Sequence, residues 1–443
     1  MFTRKDLQKL IIPLIIEQLL AVLVGMADIV MVTKAGEAAV SGVSLVDTIN
    51  ILMINIFAAL ATGGAVVTAQ FLGHKDKKNA CKSANQILLT VFTISTAIMM
   101  IALIGNQSIL RLTFGKIDPL VMRNARIYFL ITAISYPFLG IYNACAALFR
   151  SMGNSKISMF SSLCMNGINI IGNAILLYGF DAGVEGVAIP TLVSRMIASV
   201  IVLVLIRNPK YDIHIGKEFS FKPNFRLIKK ILQIGVPNGL ENSMFQIGKV
   251  LVLSLIASFG TTSIAANAMA NTISSFEVLP GNATGLALIT VVGQCVGAGE
   301  FKQAKYYTFK LLKLTILIMG VLNITIALFC GPIVGFYNFS KETSEIANQL
   351  MMYHSIVCIF IWPFSFTLPN ALRAASDVKF TMFIAIISMW IFRIIFSYVL
   401  GRYLGLGVLG VWIAMRLDWV FRGTCFFIRF LRGKWKMAYT IAE

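Results

Sequence analysis

The sequence predicts an all-α membrane protein, with twelve transmembrane helices in two six-helix lobes related by a pseudo-twofold axis along the membrane normal. Three observations predict it. The 443 residues are 58% hydrophobic and only 13% charged, whereas a soluble domain is nearer half apolar and a quarter charged because it needs a polar skin. Apolar stretches of roughly 20 residues, enough to cross a ~30 Å hydrocarbon core as a helix, recur twelve times. The first half of the chain is also repeated in the second.

In chain order the spans fall at about 10–33, 42–65, 87–106, 127–148, 158–179, 186–206, 231–257, 264–292, 311–333, 351–371, 380–400 and 407–430. The first contains Glu17 and Asp28, which sets it apart from a cleavable signal peptide. The polar stretch 207–230, RNPKYDIHIGKEFSFKPNFRLIKK, reads as a cytoplasmic linker between an N-terminal lobe, 1–206, and a C-terminal lobe, 231–443.

A formal charge of +19 invites a nucleic-acid partner, but its distribution argues against one. With the N-terminus inside, cytoplasmic segments (Arg422 to Lys436 among them) hold 27 of the 38 Lys and Arg. The opposite side holds 7: Lys34, Arg111, Lys116, Arg123, Arg126, Lys341 and Arg402. This is the positive-inside pattern. It places both termini in the cytoplasm of a multi-pass plasma-membrane protein, expected to be a monomer among lipids. The seven cysteines (Cys81, Cys145, Cys164, Cys295, Cys330, Cys358, Cys425) show neither metal-ligand spacing nor a disulfide framework.

The repeat holds one register over about 170 residues. LIIPLIIEQLL in span one matches QIGVPNGLENSMF in span seven, pairing Pro13 with Pro237 and Glu17 with Glu241 at an offset of 224. Gln70 pairs with Gln294 and Gly73 with Gly297 at the same offset. ALFRSMGNSK matches NALRAASDVK, bringing Arg150 to Arg373 at 223, and GVEGVAIP matches GVLGVWIA, bringing Gly186 to Gly410 at 224. Six spans per unit is an even number, so both units enter the membrane in the same sense. A cleft between paired lobes is the natural place for a substrate. The paired segments GHKDKK and GAGEFK lack the strand and lysine pattern of a phosphate-binding loop and read as tight cytoplasmic turns. With no nucleotide-binding module in the chain, an ion gradient is the simplest source of energy.

Acidic side chains within a span cost free energy and point to function. Five stand out: Glu17, Asp28, Asp47, Glu241 and Glu277. Glu17 and Asp28 lie eleven residues apart, three helical turns with ~20° of drift, so they share a face about 16 Å apart along the axis. Asp28 sits among apolar neighbours in LVGMADIVMV, a carboxyl placed to gain and lose a proton or to hold Na⁺; the alternative is a structural bond to a neighbouring helix. Glu241 follows Pro237 by four residues and stands either as a substrate or proton group or as part of a duplicated bend. Lys249 is too distant along the helix, roughly 12 Å, to be its direct partner. Glu277 is a further substrate or proton candidate, and Asp47 reads as near the interface. Asn166, Asn169 and Asn173 share one face of span five. Arg195 and Arg416 stand mid-span and can anchor helices or cavity anions.

Taken together these residues resemble the multidrug and toxic compound extrusion (MATE) family. The resemblance is carried by Pro13 and Asp28, Gln70 and Gly73, LFRSMGNSK, NIIGNAILLYG, GVPNGLENSMFQIGKVLV and VVGQCVGAG, and covers nearly the whole chain. It implies export of organic, often cationic or amphipathic, compounds in exchange for H⁺ or Na⁺, with no other cofactor. It also implies a first-lobe cation site at Asp28, Asn169, Asn173 and Thr191. Where many members carry a second Asp in span five this chain has Asn173, and CIFIWPFSFTLPNAL in span ten lacks the expected second-lobe Asp. A single carboxylate favours protons at least as much as sodium.

Three alternatives remain in view, one of them a channel, against which the deep repeat and the proline-broken first helices favour alternating access. A lipid-linked precursor flippase of the same superfamily would line its cavity with cations, whereas five acids against four bases within the spans favour cationic cargo. A membrane-embedded enzyme would want a His, Cys or paired-acid constellation, and His74, His214 and His354 show no evident partners in the sequence.

Overall fold

The computed structural model describes residues 1–115, 117–216 and 222–438. Lys116 and linker residues 217–221 lie outside them. Among the described residues there is no strand, as fits a chain whose backbone polar groups must be satisfied within each lipid-crossing segment.

The helices are α1 (Arg4–Val32), α2 (Glu37–Gly73), α3 (Lys77–Phe114), α4 (Pro119–Ile134), α5 (Tyr136–Ser151), α6 (Ser155–Ala174), α7 (Glu185–Ile206) and α8 (Phe225–Ala257). They continue with α9 (Thr261–Glu277), α10 (Leu279–Gly297), α11 (Phe301–Leu328), α12 (Cys330–Gly335), α13 (Lys341–Trp362), α14 (Leu368–Ala374), α15 (Val378–Ser388) and α16 (Gly407–Leu431). Each of the twelve expected spans falls on one helix or on two in succession. Among the described residues ten helical rods are long and apolar enough to cross a membrane, and α4 with α5, bent by 47°, brings the number to eleven. The twelfth, α16, has 25 residues but carries Arg416, Asp418, Arg422 and Arg429, which lower its apolar character.

Spans four and eight are each two helices where the sequence suggested one. The breaks fall at Ser135 and Val278, with Pro137 and Pro280 in the first turn of the second piece. Proline has no amide hydrogen to continue the ladder and its ring crowds the carbonyl four residues back, so the preceding helix stops and a new one starts with proline in its first turn. Three later spans contain π-helical turns, at Ile175–Gly179, Pro363–Thr367 and Met389–Ile395, the last followed by Tyr398–Tyr403.

Two compact units divide the chain: Thr3–Gly239, and Leu240–Glu443 with Met1–Phe2. The boundary falls within α8, two residues past Pro237. In the first unit α2 lies at the centre, and Gly63 comes so close to α8 that a Cβ there would meet Ile231 O at 2.5 Å and Gly235 N at 2.9 Å. Such contacts are how helices pack where lipid supplies no hydrophobic drive. In the second unit Leu255, Ala266, Met269, Leu350, Met351, Val411 and Trp412 form a buried core.

Both repeats turn in the same way. After α2, His74 N donates to Gln70 O and Asp76 N to Phe71 O; after α10, Ala298 N donates to Gln294 O and Glu300 N to Cys295 O. The left-handed position is Lys75 (φ 61°) in one unit and Gly299 (φ 73°) in the other. Asp76 caps α3 by accepting from Asn79 N at 3.0 Å, and that amide holds its carboxyl below the usual carboxylate range.

Candidate functional site: a carboxylate tied to two amides

In the first unit, Asp28 stands near the C-terminal end of α1, half-buried, facing the polar stripe of α6. Asn173 Nδ2 donates to Asp28 Oδ1 at 2.9 Å and lies 3.4 Å from Asn169 Oδ1. Asn169 Nδ2 donates in turn to Thr191 Oγ1 on α7 at 3.1 Å, and Thr191 donates to Val187 O at 2.9 Å. The structure thus joins Asp28, Asn173, Asn169 and Thr191 in one chain of hydrogen bonds across three helices. Two local causes put them there. Asn169 and Asn173 are four residues apart on one face, and Gly172 lets α6 approach Pro190 of α7 so closely that a Cβ would lie 2.8 Å from the proline ring.

One atom in this chain is left over. Asn173 is fully buried, yet its Oδ1 has no hydrogen-bond partner among the described residues. An orphaned buried carbonyl costs free energy unless a donor or cation meets it. An oxygen set of carboxylate, amide and hydroxyl is the hard-ligand chemistry that suits Na⁺, and a protonated carboxyl offers a donor of the same kind.

Asp47 is half-buried. Its Oδ1 accepts from Tyr128 OH at 3.1 Å and from Asn50 Nδ2 at 3.3 Å, while Asn50 Oδ1 accepts from Tyr136 OH at 3.0 Å. Arg195, one turn beyond Thr191 on α7, donates to Ser135 Oγ at 2.7 Å. Asp47 and Arg195 both lie within electrostatic range of Asp28. Sequence reasoning did not find Asn50, Tyr128, Ser135 or Tyr136. The usable signal was weak: a Thr and an Arg four residues apart on α7.

Glu17 and Glu241 occupy the same repeat position and have the same kind of partner. Arg150 Nη1 lies 3.3 Å from Glu17 Oε1, and Ser158 Oγ donates to Glu17 Oε2 at 2.7 Å. Arg373 Nη2 donates to Glu241 Oε1 at 2.7 Å. Both glutamates and both arginines belong to matched blocks of the repeat, and opposite charges duplicated together are the signal that predicts such pairs. Nearby, Pro13 leaves the carbonyl of Lys9 without its helical donor, and Ser155 Oγ reaches Lys9 O at 3.2 Å and Leu10 O at 2.6 Å.

The second unit departs from expectation in three ways. His354 does have partners: its Nε2 lies 2.9 Å from Glu277 Oε2, and its Nδ1 meets Arg416 Nη2. The sequence hid this because the three residues come from spans eight, ten and twelve. Asp418, absent from the list of buried acids, is fully buried, with Arg393 Nε 3.2 Å away and Ser388 donating to it. Arg422, assigned to the cytoplasmic side, is 2% exposed and lies over the Phe366 ring at 4.5 Å. Lys249 lies exposed on the surface of α8 and is not paired with Glu241, whose partner is Arg373.

A helical membrane protein with a duplicated architecture and ionisable clusters inside its spans is a transporter in design. The comparisons agree. The family model MatE matches residues 13–175 and again 237–399, two passes set apart by the same 224 residues as the repeat, and the chain belongs to that family. It is 27% identical to an uncharacterized transporter, YisQ, of Bacillus subtilis, over 96% of this chain and 93% of that one. It is 26% identical to a probable multidrug resistance protein, NorM, of Thermotoga maritima, over 98% and 93%. Among solved structures it superimposes on the outward-facing conformation of a multidrug resistance MATE family transporter of the MOP superfamily. That match has TM-score 0.90 and 20% identity, over 97% of this chain and 95% of the other. Members of this family are transporters, so the His354 cluster does not revive the enzyme alternative.

Proposed function

We propose that this chain is an ion-coupled antiporter that exports organic, cationic or amphipathic compounds by alternating access, with Asp28 as the coupling carboxylate. The observation that carries the reading is the Asp28–Asn173 bond beside the unpartnered Asn173 Oδ1. A proton or Na⁺ arriving at Asp28 has oxygen ligands already in place, and its departure leaves an acid that must find other donors. Binding and release therefore change the bonding between α1 and α6, which is what ties an ion to a conformational step. The names of the relatives support drug export as the task. The flippase alternative needs a cavity lined with cations free to meet phosphates, whereas of the four bases within the spans Arg393, Arg416 and Arg195 are engaged by Asp418, His354 and Ser135, leaving Lys249 for such a role.

The test is transport in proteoliposomes loaded with a fluorescent organic cation, with pH and Na⁺ gradients imposed separately. A pH gradient alone is expected to drive the dye. Transport that vanishes without Na⁺ yet ignores collapse of the pH gradient would assign the site to sodium.

A further inference from the structure

We propose that Glu277, beside His354 and within electrostatic reach of Arg416, is a second proton-binding centre, buried within the unit Leu240–Glu443 and separate from Asp28. Glu277 is 1% exposed, His354 3% and Arg416 3%. Arg416 Nη2 meets His354 Nδ1. A guanidinium only donates, so Nδ1 must be the acceptor and the imidazole hydrogen must sit on Nε2, the atom 2.9 Å from Glu277 Oε2. Protonating Nδ1 would delete the acceptor for Arg416 and set two cations against each other. His354 is thereby locked neutral, and a proton entering the cluster can only go to the carboxylate. Ser355 Oγ donates to Glu277 Oε1, while the His354 Nε2–H points off the line to Oε2. The oxygen on the His354 side is the one open to a proton.

The surroundings fit a group that changes charge. The ionisable side chains within electrostatic reach of Glu277 are His354 and Cys358 on α13, Cys330 at the start of α12 and Arg416 on α16; Arg416 in turn is within reach of Tyr353 and of Arg393, which is paired with Asp418. From α11, the Asn323 amide donates to the Glu277 carbonyl at 3.3 Å. With Glu277 ionised the glutamate and arginine cancel; with it protonated, one positive charge remains on Arg416, whose guanidinium carbon lies 3.9 Å from the centroid of the Trp419 ring that attracts it. Glu277 is also the last residue of α9, at the break before Pro280. Its charge is therefore set where a span is broken. By the repeat offset neither Glu277, His354 nor Arg416 has an ionisable counterpart in the first unit, so this centre is not a copy of the Asp28 site.

The role in transport rests on the antiport reading, but the titration does not, and it can be measured without cargo. The experiment is infrared difference spectroscopy of the purified full chain across a pH titration, reading the C=O stretch of protonated carboxyls, with and without ¹³C-labelled glutamate. A titrating band that moves on glutamate labelling is expected, lost in Glu277→Gln and retained in Asp28→Asn. His354→Asn, which removes the locked imidazole, shifts the midpoint of that band while an unlabelled aspartate band stays put. No glutamate band in the wild type, or one that survives Glu277→Gln, would overturn the proposal. Should Glu277→Gln fail to fold, a His354→Asn titration identical to wild type would overturn it as well.

Discussion

Asp28 and Asn173 hold the account at the scale of single residues. Asn173→Asp adds a second carboxylate to the oxygen cluster, and two formal charges hold Na⁺ better than one. The variant is expected to gain Na⁺ dependence in dye efflux relative to wild type, and unchanged ion preference would remove Asn173 from the site. Glu241 is a different case. The sequence allowed it a role toward cationic cargo, but Arg373 occupies its carboxylate. Removing one member of a buried pair costs about 3 kcal/mol, whereas removing both costs less than the sum of the single changes. Glu241→Gln should lower thermal stability in detergent and weaken cationic and neutral compounds alike, with Glu241→Gln/Arg373→Met partly recovered. Selective loss of cationic compounds would return Glu241 to cargo recognition. Asp28, Asn169 and Asn173 were legible because a polar side chain amid lipid-length apolar sequence is conspicuous. The partners were harder to read: Thr191 came only through resemblance, and Arg150, Arg373 and His354, which meet Glu17, Glu241 and Glu277, lie on other helices, where spacing along the chain says nothing and only the repeat marks the first two.

Among the elements, the duplicated turns offer the cleanest test. Gly299 has φ 73° and no atom within 4 Å of where a Cβ would lie, so Gly299→Ala carries backbone strain alone, about 1 kcal/mol. Lys75→Gly at the matching turn should gain up to about 1 kcal/mol by relieving the same strain, less the extra freedom of glycine when unfolded. Thermal denaturation of the two variants reads the opposite signs; equal signs would mean that the turns are not equivalent. Ser155→Ala removes the hydroxyl that meets the carbonyls around Pro13 and should cost about 1 kcal/mol. Span positions were readable because the bilayer demands continuous apolar length. The breaks at Ser135 and Val278 were missed because hydropathy does not change across them, although Pro137 and Pro280 marked both places.

For the whole molecule, duplication fixed the architecture, and each unit then acquired its own chemistry. By the repeat offset Asp28 corresponds to Val252 and Asn169 to Arg393. The first unit thus carries an oxygen cluster, where the second carries Arg393 against Asp418 and the Glu277–His354–Arg416 cluster. Division of labour between units follows if the first couples the ion that drives the cycle. The most direct measurement compares wild type with Asp28→Asn in the same proteoliposomes, reading dye accumulation driven by a pH gradient and dye exchange at zero gradient. The account predicts that Asp28→Asn loses accumulation and keeps exchange, because the path for cargo survives while its link to the ion is cut. Gradient-driven accumulation at the wild-type level in Asp28→Asn would contradict it.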